Sequence, residues 1–226
     1  MQILALDTST EYCSVALWRD GEVMSHCELV GQKHSEMLMP MLDKLLHEAG
    51  VKVGDLDGIA FGMGPGSFTG VRIACGVTQG LALGANLPVV GICTLEALAE
   101  GAGKHKVIAA LDARMSEVYH AAYIKQNDIW MSASEPSLCK PDDAPLLEGK
   151  DWFGVGSGFA THGEQLGLRY ADNLEAVDDT AIPQAAAIAK LGAARFAAGE
   201  GTDAAEALPL YLRNKVALKT SEREAR

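Results

Sequence analysis

"QILALDTSTEYCSVALWRDG", residues 2–21, and "VIAALDARMSEVYHAAYIKQND", residues 107–128, share one pattern. Each opens as an apolar run that ends in Leu-Asp, at Leu6-Asp7 and at Leu111-Asp112. Each then has a short polar turn, a glutamate (Glu11, Glu117), a second apolar run and a closing polar turn (Arg19-Asp20-Gly21, Gln126-Asn127-Asp128). Short apolar runs bounded by turn residues read as strands. The offset of 105 residues is close to half of the 226-residue chain. That period is too long for a solenoid and predicts a duplicated lobe.

The surrounding sequence completes an α/β pattern. The Asp20-Gly21 turn links the second strand to "EVMSHCELV" as a hairpin. A helix is expected from about Ser35 to Ala49, stopped by Gly50. Next come the strand "GIAFG", the loop "GMGPGSFTGVR" (residues 62–72), a helix over about 67–83, and the strand "PVVGIC". A further helix begins at Thr94, which is expected to cap it. The second half is less regular. "DWFGVGSG" reads as a strand running into a turn, "GSGFATHG" as a turn, "KPDDAP" as a loop and "DNLEAVDDT" as an acidic connector. "PQAAAIAKLGAARFAAG" reads as a helix with Pro183 in its first turn and Gly199 at its end.

Composition sets limits. Apolar content of 48% with 22% charged residues is that of a globular protein. A net charge of −11 repels a phosphate backbone, so unaided nucleic-acid binding is not expected. Five dispersed cysteines, none in a C-x-x-C pair, read as buried hydrophobes in a reducing compartment. The opening residues lack a basic leader and read as a strand. Between Arg72 and Glu96 lie 23 uncharged residues, but Gln79, Asn86, Pro88 and the glycines fit a buried helix, turn and strand better than a membrane span.

The glycine-rich loop has two readings. No lysine occurs from Gly54 to Gly103, so it is not a P-loop, and Gly70 falls one position late for a dinucleotide fingerprint. A helix capped by Ser67 could still attract an anion beside Gly66. The simpler reading is a tight turn that brings helix and sheet together. "DTST" offers Asp7, Thr8 and Ser9, with Asp112 at the matching place in the repeat, as a weak nucleotide site with Mg²⁺ held through water. Neither turn has a glycine that would admit phosphate to the backbone, and an aspartate capping its own turn is the simpler reading. The six histidines contain no H-E-x-x-H or H-x-x-x-H pair, so no metal site is expected. Ser157 and His162, close in sequence only, read as a turn, and no cysteine has the neighbours of a thiolate nucleophile.

On the first helix, Met37, Leu38, Met39, Met41, Leu42, Leu45, Leu46 and Ala49 cover an arc of about 200°, where a core stripe needs only somewhat more than about 100°. On the second helix Gly76, Gly80 and Gly84 recur every four residues and form a groove free of side chains. Either both helices are sandwiched inside the fold, or they carry a protein interface. The interface reading names His34, Met37, Leu38, Met41, Leu42, Leu45, Arg72, Gly76 and Gly80.

"ILALDTST", "HSEMLMPML", "GPGSFTGVRIA", "LDARMSEVY" and "LPLYLR" together resemble the bacterial TsaB (YeaZ) family over most of the chain. The resemblance implies an actin-like ATPase (ASKHA) duplication of two ribonuclease-H-like lobes. Residues 1–104 would form the first, with the partner-binding helices, and 105–226 a smaller, less regular second lobe with the C-terminal helix and tail. It implies a non-catalytic scaffold or activator that pairs with the TsaD transferase, with the ATPase TsaE, to threonylcarbamoylate the adenosine beside the tRNA anticodon. TsaD carries a metal-binding H-x-x-x-H that this chain lacks. Family pairing through the first two helices carries over onto "HSEML" and "FTGVRIACG". A homodimer when alone, indirect contact with tRNA, a cytoplasmic location away from membranes, and no cofactor beyond a weak or interfacial ATP or ADP complete the expectation. The rival reading is a stand-alone ATPase or kinase using Asp7 and Asp112 around Mg-nucleotide. The tail from Leu210 is the only basic-leaning segment.

Overall fold

The computed structural model describes residues 1–213. Most of the basic tail therefore lies outside the described residues. Two five-stranded mixed sheets repeat one topology. The first runs β3 (Glu22–Leu29), β2 (Tyr12–Arg19), β1 (Gln2–Asp7), β4 (Gly58–Gly64), β5 (Val89–Cys93). The second runs β8 (Ile129–Cys139), β7 (Val118–Gln126), β6 (Lys106–Asp112), β9 (Trp152–Val155), β10 (Leu174–Asp178). In each, the Leu-Asp strand pairs antiparallel with its successor and parallel with the fourth strand of its lobe. The duplication read from the two quoted stretches is therefore real, and these are the two ribonuclease-H-like lobes. The second lobe has the same strand number as the first but fewer helices of its own.

Alternation along β1 decides the layering. Leu4 and Leu6 face one core with α1 (His34–Ala49) and α2 (Phe68–Ala85). Ile3 and Ala5 face another with α5 (Ala185–Ala197). α5 is rich in alanine because it lies close to a sheet face of small residues: a Cβ on Gly192 would come within 2.5 Å of the Ala60 Cβ. The chain thus returns to the first lobe at its end, and a cut at residue 104 does not separate two bodies. α3 (Thr94–Gly101) packs beside α5 and covers one face of the second sheet, while α4 (Ser157–Arg169) covers the other.

Several expectations are corrected. "GSGFATHG" opens α4 rather than forming a turn, and "DNLEAVDDT" contains the short strand β10. Both lack the long apolar period that signals an element, because each has only a few buried apolar positions and many exposed ones. Thr94 does not cap α3. It is the first helical residue, and its hydroxyl donates to the Pro65 carbonyl instead. The 23-residue uncharged run divides into α2, a turn and β5, and among the described residues no helix is long and apolar enough to cross a membrane.

Candidate functional site

The two Leu-Asp turns have opposite fates. In the first lobe Asp7 ends β1 and is 1% exposed. Its Oδ1 accepts from the Ser9 amide (3.1 Å) and hydroxyl (2.8 Å). Its Oδ2 is buried with no partner among the described residues and faces Gly62, where a Cβ would overlap it. Burial pushes the carboxyl up to about 6, against the lowering pull of the Ser9 donors.

The glycine-rich loop closes over this turn. The Ser67 amide donates to the Ser9 carbonyl (2.7 Å), and the Thr8 hydroxyl donates to the Gly70 carbonyl (2.7 Å). A Cβ on Gly66 would overlap Ser9 O, and one on Gly70 would overlap Thr8 O. Both glycines are therefore required for backbone contact between loop and turn. Ser67 caps α2 by accepting from the Gly70 amide (3.3 Å). The structure thus brings Asp7, Thr8, Ser9, Gly66 and Ser67 together, but as a sealed junction. The space expected for phosphate holds backbone, and Asp7 does not face an open cleft. Of the two readings of the loop, the tight turn is the one the geometry supports.

Asp112 stands on the second lobe and is partly open. Its amide donates to Ser157 Oγ (3.1 Å), and its Oδ1 accepts from the Arg114 amide (3.0 Å) and lies 3.7 Å from His162 Nε2. α4 kinks at His162, which has non-helical dihedrals (φ −127°, ψ 32°). Sequence reading took Ser157 and His162 for a turn and did not connect them with Asp112. The echo of "GPGSF" in "GSGF" was the available signal, since both follow the fourth strand of their lobe. The three do not form a nucleophile relay. Ser157 accepts from an amide, and His162 Nε2 makes no hydrogen bond among the described residues. Only Cys13, Cys75 and Cys93 are buried, while Cys27 on edge strand β3 is exposed and Cys139 half-buried, which corrects the expectation of five buried cysteines. Desolvation still raises all five thiols, Cys13 to about 12 and Cys75 to about 11, so none is poised as a thiolate.

The turn after Asp112 is strained. Arg114, Met115 and Ser116 all have positive φ (63°, 57°, 59°), a left-handed turn without glycine. Each such residue costs about 1–2 kcal/mol. The C-terminal segment braces it: Arg213 donates to the Ala113 carbonyl (3.0 Å) and pairs with Glu117 (2.7 Å). Two residues earlier, Tyr211 sits beside Phe68 at the start of α2, with ring centroids 6.0 Å apart. The Arg72 guanidinium lies 3.3 Å over the Phe68 ring and 5.0 Å from that of Tyr211. The Leu210 amide donates to the Met63 carbonyl (2.7 Å). This strap ties both lobes together.

The residues expected at an interface divide in two. His34, Leu38, Met41, Leu42 and Leu45 are buried in the first lobe's own core, and Met37 is half-buried against it. Their side chains pack inward on the sheet, so the wide apolar arc of α1 is largely a core face, and the interface reading is corrected for these five. His34 Nε2 sits 3.2 Å from the Tyr12 carbonyl at the helix start. Arg72, Gly76 and Gly80 are exposed on α2, as are Phe68, Leu83 and Gly84. A Cβ at Gly76, Gly80 or Gly84 would meet nothing within 4 Å. Nothing among the described residues explains these three glycines.

Fold and site together define a two-lobed α/β protein of the actin-like duplication, with a sealed first-lobe turn and an open, glycine-lined helix face. The matching family model is that of TsaD, tRNA N6-adenosine threonylcarbamoyltransferase, over residues 26–219. The tRNA threonylcarbamoyladenosine biosynthesis protein TsaB of Escherichia coli (strain K12) is 42% identical, covering 97% of each chain. Its namesake in Haemophilus influenzae (strain ATCC 51907 / DSM 11121 / KW20 / Rd) is 37% identical over 97% of this chain and 96% of that one. The solved structure of YeaZ from Pseudomonas aeruginosa superposes with a TM-score of 0.85 at 41% identity, covering 93% of this chain and 99% of that one. The chain belongs to this family, among its TsaB (YeaZ) members.

Proposed function

We propose that the chain is the non-catalytic scaffold or activator subunit in threonylcarbamoylation of the adenosine next to the tRNA anticodon. It pairs through α2 with a TsaD-type transferase, joined by TsaE, in the cytoplasm. The single observation that carries the pairing is the exposed stripe Gly76-Gly80-Gly84. Each helix-interior glycine costs about 0.5–1 kcal/mol relative to alanine, and no contact among the described residues repays it. A second helix lying in the stripe would repay it by close backbone approach. The same surface supports a homodimer when the partner is absent. The net charge of −11 suits a subunit that leaves tRNA to its partners. The sealed junction at Asp7 supports a role without a resident nucleotide and speaks against a stand-alone ATPase. ATP or ADP, if bound, belongs at an interface with a partner.

The test is depletion of this chain in its own cell, followed by measurement of threonylcarbamoyladenosine in bulk tRNA. The nucleoside is expected to fall sharply, and to be restored by the wild-type chain but not by Gly80→Arg, which should also fail to co-elute with the TsaD-type subunit. Normal levels after depletion overturn the function. Restoration by Gly80→Arg with an intact complex overturns the α2 interface.

A further inference from the structure

We infer that the partner seated on α2 also grips the left-handed turn of the second lobe, Arg114–Ser116, with the strap Tyr211–Arg213 as the bridge between the two contacts. The inference rests on the pairing proposed above and extends it to a surface with no sequence link to α2.

Three observations support it. The first is continuity. Phe68 and Arg72 on α2 touch Tyr211, and Arg213, two residues on, reaches Met115 Sδ at 3.5 Å. Two residues of chain span at most about 7 Å, so the strap places the Phe68–Arg72–Tyr211 group within a short reach of Met115. The second is composition. Phe68, Tyr211 and Met115 are exposed large apolar groups at the two ends of the strap, with Met115 59% exposed. Arg114, 89% exposed, pairs with Asp112 at 3.4 Å, and Arg72 makes no ion pair among the described residues. Apolar groups set among arginines are what a protein interface enriches, and they fit a partner offering apolar side chains flanked by carboxylates.

The third is the contrast between lobes. The first-lobe turn is unstrained, buried and covered by the start of α2. In the second lobe, Gly156 and Gly158 let α4 pack onto Ala110 deeper in β6. The turn beyond is left uncovered. The Met115 and Ser116 amides make no hydrogen bond among the described residues. A strained turn that displays an exposed methionine and arginine, braced from behind by Arg213, is built to present those side chains.

The TsaD-type subunit is titrated against the full chain by calorimetry, comparing wild type with Met115→Glu and Arg114→Glu. Met131→Glu, an equally exposed methionine on edge strand β8, is the control. Met115→Glu and Arg114→Glu are expected to weaken binding at least tenfold, with unchanged melting of the free chain and with Met131→Glu near wild type. Hydrogen exchange on the wild-type complex should show slowing at the Met115 and Ser116 amides, a readout independent of any variant. Binding within twofold of wild type for both variants, while Gly80→Arg abolishes it, overturns this inference and leaves the α2 interface standing. Exchange at Met115 and Ser116 unchanged by the partner, or loss in Met131→Glu equal to that in Met115→Glu, also overturns it. If Gly80→Arg too has no effect, the pairing reading itself fails.

Discussion

Asp7 shows how one residue changes meaning with its surroundings. At the end of a first strand, before two hydroxyls, it reads as a ligand for magnesium and phosphate. Gly62 lies against its Oδ2 and Ser9 donates to its Oδ1 instead. Burial raises its carboxyl from an ordinary aspartate value to about 6. The folded chain therefore binds this proton more tightly than the unfolded chain. The group imposes no charge penalty below about pH 4, and its penalty grows as pH rises toward 6, reaching about 3 kcal/mol above that. Asp7→Asn removes the titration while its Oδ1 keeps the Ser9 donors. The variant should gain stability over wild type at pH 7.5, with the advantage shrinking as pH falls to 4. Denaturant melts at both pH values check this, and an advantage independent of pH would count against it. The spacing of "LDTST" marked the turn correctly. It carried no sign that the carboxylate would be walled in, since Gly62, which lies against it, is more than fifty positions away.

Element by element, glycine has two opposite jobs within α2. Gly70 lies against the Thr8 carbonyl with no room for a methyl group, whereas Gly76 and Gly80 look into open space. Gly70→Ala should therefore cost about 1–3 kcal/mol or more through overpacking. Gly76→Ala should stabilise the isolated chain by about 0.5–1 kcal/mol by restraining the unfolded state, while weakening the complex with its partner. Thermal melting and a binding titration on both variants separate these effects. A Gly76→Ala chain no more stable than wild type would show that the glycine has an internal role. In the sequence the glycines are indistinguishable, because an i, i+4 spacing records a shared face but not what covers it. The same limit applies to α1. Its apolar arc was legible, yet Leu38, Leu42 and Leu45 are core, so a charge placed at Leu45 would disrupt folding rather than report on pairing.

For the whole molecule, the layers α1/α2, first sheet, α5/α3, second sheet and α4 are joined where α3 meets α5. There Arg195 on α5 donates to Glu96 on α3 (2.6 Å) and to the Gly91 carbonyl (3.2 Å). Burial raises the Glu96 carboxyl despite Arg195 beside it. Arg195→Met leaves that carboxylate largely buried and unpaired, and should cost about 1–3 kcal/mol, since hydrogen bonds to charged groups are worth about that much. Adding Glu96→Gln should recover part of the loss, because the uncompensated charge is then gone. Chemical denaturation of the single and double variants checks this, and a double variant less stable than Arg195→Met would contradict it. By itself the sequence determined the duplicated α/β pattern, the strand and helix order of the first lobe, the tight loop and the glycine face. Each of these is written in local periodicity and turn chemistry. Only the tertiary structure decided that α5 returns to the first sheet, that Asp7 is sealed, that Ser157 and His162 gather at Asp112, and that the strap braces a strained turn. All four depend on contacts between residues far apart in the chain, and local pattern carries no information about distance in space.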